Sequence, residues 1–498
     1  MLKYHIFQIK KLTVKSQFKW LGLIAVLILF GLSGVGVLNQ VQATESSAQP
    51  LVQSPASLFG VEMSQISLEG GLEQMDQAGV YYLRRNALMW SQVQPEEGME
   101  IDWSAAAALE EELINAAERD MPVILVVRST PEWARLVPDK ACSSVREDKL
   151  AAFAYFMGEA VARYSVPPYN VKFWEIWNEP DVDPSLVSSE SLFGCWGDMN
   201  DEEYYGGGYY AAALKAVYPA IKVADPQAYV LIGGLLLDCD PNNPPDDPPG
   251  SGQPKDCTSS RYLEGILVND GGDYFDGVSF HAYDFYNFEE GTYNNSNWHS
   301  AWNTTGPVIS AKTSFIRSVL TEYGVAGKDV WNTETSLFCT EPEVCHLDTD
   351  FEFTKAYYVP QSYAQAIELN LRANVWYAAM AGWRDSDLLY SDGSPRLAYF
   401  SYQFAQSQLH DAAFVRQVEE YQGVFGYVFH HPDRSMWLLW SGDGEEHTIT
   451  LPDIPLQAFD AFGNEMSVGP TVQVTLLPIY LEWQPFERIY MPITYKNN

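Results

Sequence analysis

The chain has 498 residues and a formal charge of −35, with 47% hydrophobic and 14% aromatic residues. That length supplies two to four domains and a large core, and that composition excludes a disordered chain. So acidic a balance lacks the basic footprint that a phosphate backbone needs, which excludes nucleic acid as a partner and leaves solubility as the plain reading of the charge.

Residues 1–43 hold Lys3, Lys10, Lys11, Lys15 and Lys19 with no acidic residue, then an apolar run from Trp20 to Leu38, then the small-residue site Val41-Gln42-Ala43. This is the order of a secretory signal peptide. The run is also long enough for an uncleaved membrane anchor, and both readings stand. Either way the expected location is extracellular or at the cell surface. Removal of the segment takes the charge to about −40. Residues 44–57 are small and polar and are expected to be a linker.

From Leu58 strands and helices alternate. Phe59–Met63, Val80–Arg84 and Pro122–Val127 are predicted as the first three strands, with helices over Ser104–Arg119 and Lys149–Tyr164. Val171–Asn178 is the fourth: an apolar, aromatic run, as a strand covered on both faces requires, cut off at Asn178-Glu179-Pro180. Tyr229–Gly234, Gly277–His281, Val330–Glu334 and Ala373–Tyr377 follow as strands five to eight. Helices are expected over Tyr209–Tyr218, Ala311–Tyr323 and Thr354–Asn370 between them. Eight such units over residues 58–410 predict a (β/α)8 TIM barrel with insertions after its strands. One insertion, rich in Pro and Asp over 240–249, ends at Cys257.

Past Asp411 short strands replace helices, over Gly423–Phe429, Ser435–Trp440, His447–Leu451 and Thr471–Leu477, with Gly-rich turns between them. Residues 411–486 are expected to be a small antiparallel β-sandwich domain, and 487–498 a tail. The six cysteines allow 15 pairings in an exported chain. Short loops favour Cys239–Cys257 and Cys339–Cys345, leaving Cys142–Cys195. No CxxC or HExxH spacing is present, so neither a metal nor a cofactor is expected.

Two carboxylates end strands. Glu179 tips strand four, and Glu334 tips strand seven in Trp331-Asn332-Thr333-Glu334-Thr335. In a closed eight-stranded barrel those tips face each other across the mouth, where barrels do chemistry. Two facing carboxyls, one protonated and one ionised, are what glycosidic bond cleavage requires. Glu175 lies on the same strand face as Glu179 but deeper, and is read as an inner-barrel polar residue.

These motifs resemble those of clan A glycoside hydrolases, the retaining (β/α)8 group, over about residues 58–410. The C-terminal β domain is similar to that of family 39, which includes β-xylosidases. The resemblance implies Glu179 as acid/base and Glu334 as nucleophile of a retaining glycoside hydrolase acting on oligo- or polysaccharides, with Asn178 on the sugar 2-hydroxyl. It implies Arg84 as the cation beside the nucleophile, a place for which Arg85 competes. His281 matches a position that bonds the sugar and Tyr283 one that donates to Glu334. Trp376 or Trp383 supplies a stacking platform, and Trp133 is a further candidate to line a sugar subsite. The competing reading is a non-catalytic carbohydrate-binding or cell-surface protein on the same barrel.

Overall fold

The computed structural model describes residues 52–53 and 57–485, apart from 249, 296–300, 303, 305, 346 and 347. The expected signal or anchor and the tail lie outside the described residues.

Eight parallel strands close on themselves: β1 (Phe59–Glu62), β2 (Tyr82–Met89), β3 (Val123–Arg128), β4 (Phe173–Asn178), β5 (Tyr229–Leu235), β6 (Gly277–Tyr286), β7 (Asp329–Phe338) and β8 (Asn374–Trp376). Each pairs with the next, and β8 pairs back onto β1. A helix follows every strand, among them Leu150–Tyr164 after β3, Gly207–Ala224 after β4, Ile309–Glu322 after β6 and Leu397–Leu409 after β8. The predicted TIM barrel is therefore the observed one, and its strands continue past the expected ends at β2, β6 and β7.

The barrel interior is layered. Tyr82, Ile124, Leu231, Trp331 and Val375 pack into an apolar plug toward the strand starts, with Phe173 and Tyr229 against it. One layer further along the strands, the buried side chains of Arg84, Glu175, Ser279 and Thr333 replace apolar ones. Outward-facing strand residues such as Phe59, Leu83 and Trp174 pack under the helices.

Two local distortions aim side chains at the mouth. On β7, Phe280 pairs with Asn332 but His281 pairs with Glu334, and on the other side Asn374 pairs with Asn332 while Trp376 pairs with Thr335. Thr333 is thus an extra residue, a β-bulge, which lets Thr333 and Glu334 both face inward. At the end of β4, Trp177 (φ 77°) and Glu179 (φ 50°) take left-handed conformations. Left-handed backbone at non-glycine residues costs on the order of 1–3 kcal/mol and concentrates at functional sites.

The C-terminal region is a β-sandwich. β9 (Ala413–Gln417), β10 (Val424–His430), β11 (Ser435–Ser441), β13 (Gln457–Asp460) and β15 (Ile479–Trp483) build one antiparallel sheet, and β12 (His447–Thr450) with β14 (Thr471–Val474) the other. Val428, Leu439, Ile449, Val474 and Leu481 fill the space between the sheets. The opposite face of the larger sheet shares the barrel's core: Tyr480 and Phe459 meet Phe404 of the last barrel helix at ring separations of 5.1 and 5.6 Å. The segment expected to be a linker is not wholly one. Val52 and Gln53 form a two-residue strand paired with Phe414 and Ala413 of β9. Backbone pairing decides this where the polar composition of the segment did not.

The disulfides are Cys142–Cys195, Cys239–Cys257 and Cys339–Cys345. The first joins the loops after β3 and β4, and the other two close the loops after β5 and β7.

Candidate active site

A cleft of about 1550 Å³ opens at the ends of the barrel strands, and Asn178, Glu179, Tyr283 and Glu334 line it. Arg84 on β2 sits below as the organising charge. It is fully buried. Its Nε donates to Glu175 Oε2 (2.8 Å) and its Nη2 to Asn178 Oδ1 (2.7 Å). Its Nη1 donates to both Glu62 and Glu334. One guanidinium thus serves three carboxylates and an amide, which its planar fork of five donors can satisfy. Arg85 points the other way, where its Nη2 donates to Glu112 (2.9 Å). Strand alternation separates the two arginines, and Arg84 holds the place beside Glu334.

Glu175 is the deep residue expected. It is fully buried and accepts from Arg84, Gly234 N (2.8 Å), Ser279 Oγ (3.0 Å) and Thr333 Oγ1 (3.1 Å). Glu334 accepts from Arg84 on one oxygen and from the Tyr283 hydroxyl on the other. Among the described residues no arginine or lysine donates to Glu179. Its Oε1 meets His281 Nδ1 at 2.8 Å. Oxygens of Glu179 and Glu334 and a ring nitrogen of His281 lie within 4.8 Å of one another. Three such groups are also donors a cation would accept, but both oxygens of Glu334 are already taken by Arg84 and Tyr283.

Burial pushes the Glu179 carboxyl up to about 8, helped by the neighbouring charge of Asp181 and opposed by Arg84. Burial also raises Glu334, and there the Arg84 charge is the main opposing influence. His281 is driven well down by burial and by the Arg84 and Lys312 charges, so its ring is neutral. The ring needs room that only glycine leaves. A Cβ at Gly234 on β5 would lie 2.0 Å from His281 Nε2.

Two expected sugar contacts are corrected. His281 is fully buried behind Glu179 and Glu334, so it holds carboxyls rather than lining the cleft. Trp376 is fully buried, with Nε1 donating to Ser386 O at 2.9 Å. Val375 points into the barrel plug, so alternation sends Trp376 outward to the core and Tyr377 into the mouth. Trp383 is half exposed on the cleft, edge-on to Phe338 at 5.3 Å. Trp133 packs against Trp90 at 5.2 Å, and its Nε1 donates to Gln94 O at 3.1 Å.

Glu62, Asp181, Lys312 and Tyr377 belong to the site and escaped the sequence reading. Glu62 had a signal, as the acidic residue ending the first strand. Asp181 accepts from Leu236 N and Leu237 N (3.0 Å each). Lys312, on the helix after β6, donates to Leu236 O (2.6 Å) and His281 O (2.8 Å). Nothing in its helical pattern marks it.

A (β/α)8 barrel with two carboxyls across its mouth and an arginine under one of them is a clan A glycoside hydrolase, a glycosidase. The family model described as Cellulase (glycosyl hydrolase family 5) matches residues 45–366. The chain belongs to that family. Among solved structures it resembles a family 39 glycoside hydrolase from the gut symbiont Bacteroides cellulosilyticus WH2 (TM-score 0.64, 17% identity, 86% of this chain and 81% of that one). It also resembles a GH30 endoxylanase from Clostridium papyrosolvens C71 (TM-score 0.56, 11% identity, 88% and 98%). A third is a glucosidase from Croceicoccus marinus (TM-score 0.55, 12% identity, 87% and 96%). These are likenesses of fold, and the relation to family 39 is of that kind. No curated protein matches the chain.

Proposed function

We propose that the chain is a retaining glycosidase with Glu334 as nucleophile and Glu179 as acid/base. The observation that carries this is that a carboxyl oxygen of Glu179 lies within 4.8 Å of one of Glu334. Retaining enzymes hold their carboxyls about 5–5.5 Å apart, and inverting ones need roughly 6.5–9.5 Å to admit water.

The surroundings divide the roles. A cation and a phenol hydroxyl at Glu334 favour its ionised form. Among the described residues no cation is bonded to Glu179, and it keeps the proton. In the first step a Glu334 oxygen attacks C1 while Glu179 gives its proton to the glycosidic oxygen, and the alcohol departs. In the second, Glu179, now a carboxylate, takes a proton from water as that water attacks C1. The bond to Glu334 breaks, and Glu334 leaves as a carboxylate. With Oδ1 held by Arg84, Asn178 presents Nδ2 to the sugar 2-hydroxyl. Trp383 offers the exposed ring on which a sugar face stacks.

The family name and the endoxylanase among the fold relatives bring forward oligo- and polysaccharides as substrates. Turnover of an aryl glycoside separates this reading from a non-catalytic binding protein. Glu334→Gly should lose turnover, and azide should restore it as a glycosyl azide of retained configuration. Normal turnover in that variant would remove Glu334 from the mechanism.

We also infer export to the extracellular space or the cell surface. The basic, apolar, small-residue order of 1–43 supports it, as do the three disulfides, which persist in oxidising compartments. No helix among the described residues is long and apolar enough to cross a membrane. N-terminal sequencing of protein from the medium should begin near residue 44. A full-length, reduced chain in the cytoplasm would refute export.

A further inference from the structure

The cleft does not end at the carboxyls. It continues between two loops, one after β4 and one after β5. Glu179 gives its proton to the glycosidic oxygen, so the departing group lies on the side of Glu179. That side is bounded by the loop leaving Glu179 itself and by the neighbouring loop after β5.

The two walls differ in what they offer. The β4 wall presents Leu186, Phe193 and Met199, which are 52%, 37% and 55% exposed, with Val182 and Val187 beside them. This apolar display is held in place. The Cys142–Cys195 bond tethers it, Cys195 N donates to Val182 O (2.7 Å), and Asp183 accepts from Ser185 N (2.7 Å) and Met199 N (2.8 Å). The β5 wall is polar, and several of its groups are engaged with one another. Asp256 Oδ1 accepts from Thr258 N and Oγ1 (3.0 and 2.6 Å), Lys255 lies 3.6 Å from Asp238, and Asp181 and Lys312 hold Leu236 as described. For a sugar in this lobe Asp238, Lys255, Asp256 and Thr258 are already engaged, and the β4 wall offers it mainly aliphatic surface beside the ring of Phe193. A hydrocarbon needs only the apolar surface that water now covers, and a rigid exposed apolar patch marks a binding site.

We infer that the leaving-group lobe takes an apolar aglycone, an alkyl chain carried by the sugar, in preference to a second sugar. The inference rests on Glu179 as the acid and narrows the substrates of that same site.

The test uses methyl, butyl and octyl β-D-glucopyranosides below micellar concentrations, with cellobiose as the sugar-aglycone comparator. kcat/KM should rise roughly threefold per methylene over the first few carbons, less than full burial of each would give. Octyl glucoside should exceed cellobiose. Leu186→Ser/Met199→Ser should flatten the chain-length dependence. Ile454→Ser/Leu456→Ser, which changes exposed residues of the β-sandwich, should not flatten it. A flat series, or cellobiose as the better substrate, overturns the inference. Binding of the same glucosides to Glu334→Gln is measured in parallel. Affinity that grows with chain length there upholds the apolar lobe even if no glucoside is turned over, so that loss of turnover bears on the catalytic reading and not on the lobe. Affinity independent of chain length overturns the lobe whatever the turnover.

Discussion

Asp181→Asn tests the electrostatics of the acid. Glu179 is faced by Asp181 on its own loop, Glu62 and Arg84 from β1 and β2, His281 and Lys312 from β6 and the helix after it, and Glu334 from β7. Of the charged neighbours, Asp181 does most to raise it, after burial itself. Asp181 is itself pushed up to about 6 by burial, so it is charged at the pH where Glu179 titrates. Taken at a separation of roughly 7 Å and an effective dielectric of about 20, the two charges interact by about 2.4 kcal/mol, or about 1.7 pKa units. The amides of Leu236 and Leu237 already offset part of the Asp181 charge, so the expected shift is about one unit. Removing a negative charge eases ionisation, so the alkaline limb of kcat/KM should fall from about 8 toward 7. The assay is a pH profile with a phenyl glycoside, whose poor leaving group needs the proton. A dinitrophenyl glycoside, which does not need it, should show little change in that limb. An alkaline limb unmoved in a normally folded Asp181→Asn enzyme would refute the argument.

Other outcomes follow from the same structure. Arg84→Met leaves Glu62, Glu175 and Glu334 buried without their cation, and should lower stability by about 3–5 kcal/mol in chemical denaturation and abolish turnover. Trp376→Ala should cost about 3–5 kcal/mol of stability, whereas Trp383→Ala should reduce kcat/KM at an unchanged Tm. Asp284 is fully buried, accepts from Val308 N and the Tyr358 hydroxyl on one oxygen, and is pushed up to about 7 by burial. A raised carboxyl contributes stability below its unfolded value that is lost as pH rises through about 7. Asp284→Asn should therefore stabilise the protein by roughly 1–4 kcal/mol at pH about 8.5 and by much less at pH about 4; equal effects at both would refute the assignment. Cys142→Ser/Cys195→Ser opens a loop of 53 residues and should cost about 4 kcal/mol in a denaturant titration.

The barrel was legible because its strands are buried on both faces and therefore stand out as apolar runs. The two glutamates were legible because each interrupts such a run at its tip. Arg84 and Arg85 were not separable by type, and only the alternation of β2 sends one to Glu334 and the other to Glu112. Trp376 drew attention as a large aromatic at a strand end, yet parity gives the mouth to Tyr377. His281 was found, but its partner was mistaken, because burial under the carboxyls is a tertiary fact. Lys312 and Asp181 gain their roles from loops that meet far along the chain. The backbone pairing of Val52 and Gln53 left no trace in side-chain pattern.

That last pairing has a consequence for assembly. Val52 and Gln53 precede every barrel strand in the chain, yet they complete the sheet built from its final part, joining β9 some 360 residues later. A contact so distant in sequence cannot form until the intervening chain has been made and brought together. During synthesis the start of the folded region therefore waits, unpaired, for its end. Its closure onto β9 joins the first described strand to a sheet made last, as a clasp that finished folding alone can fasten.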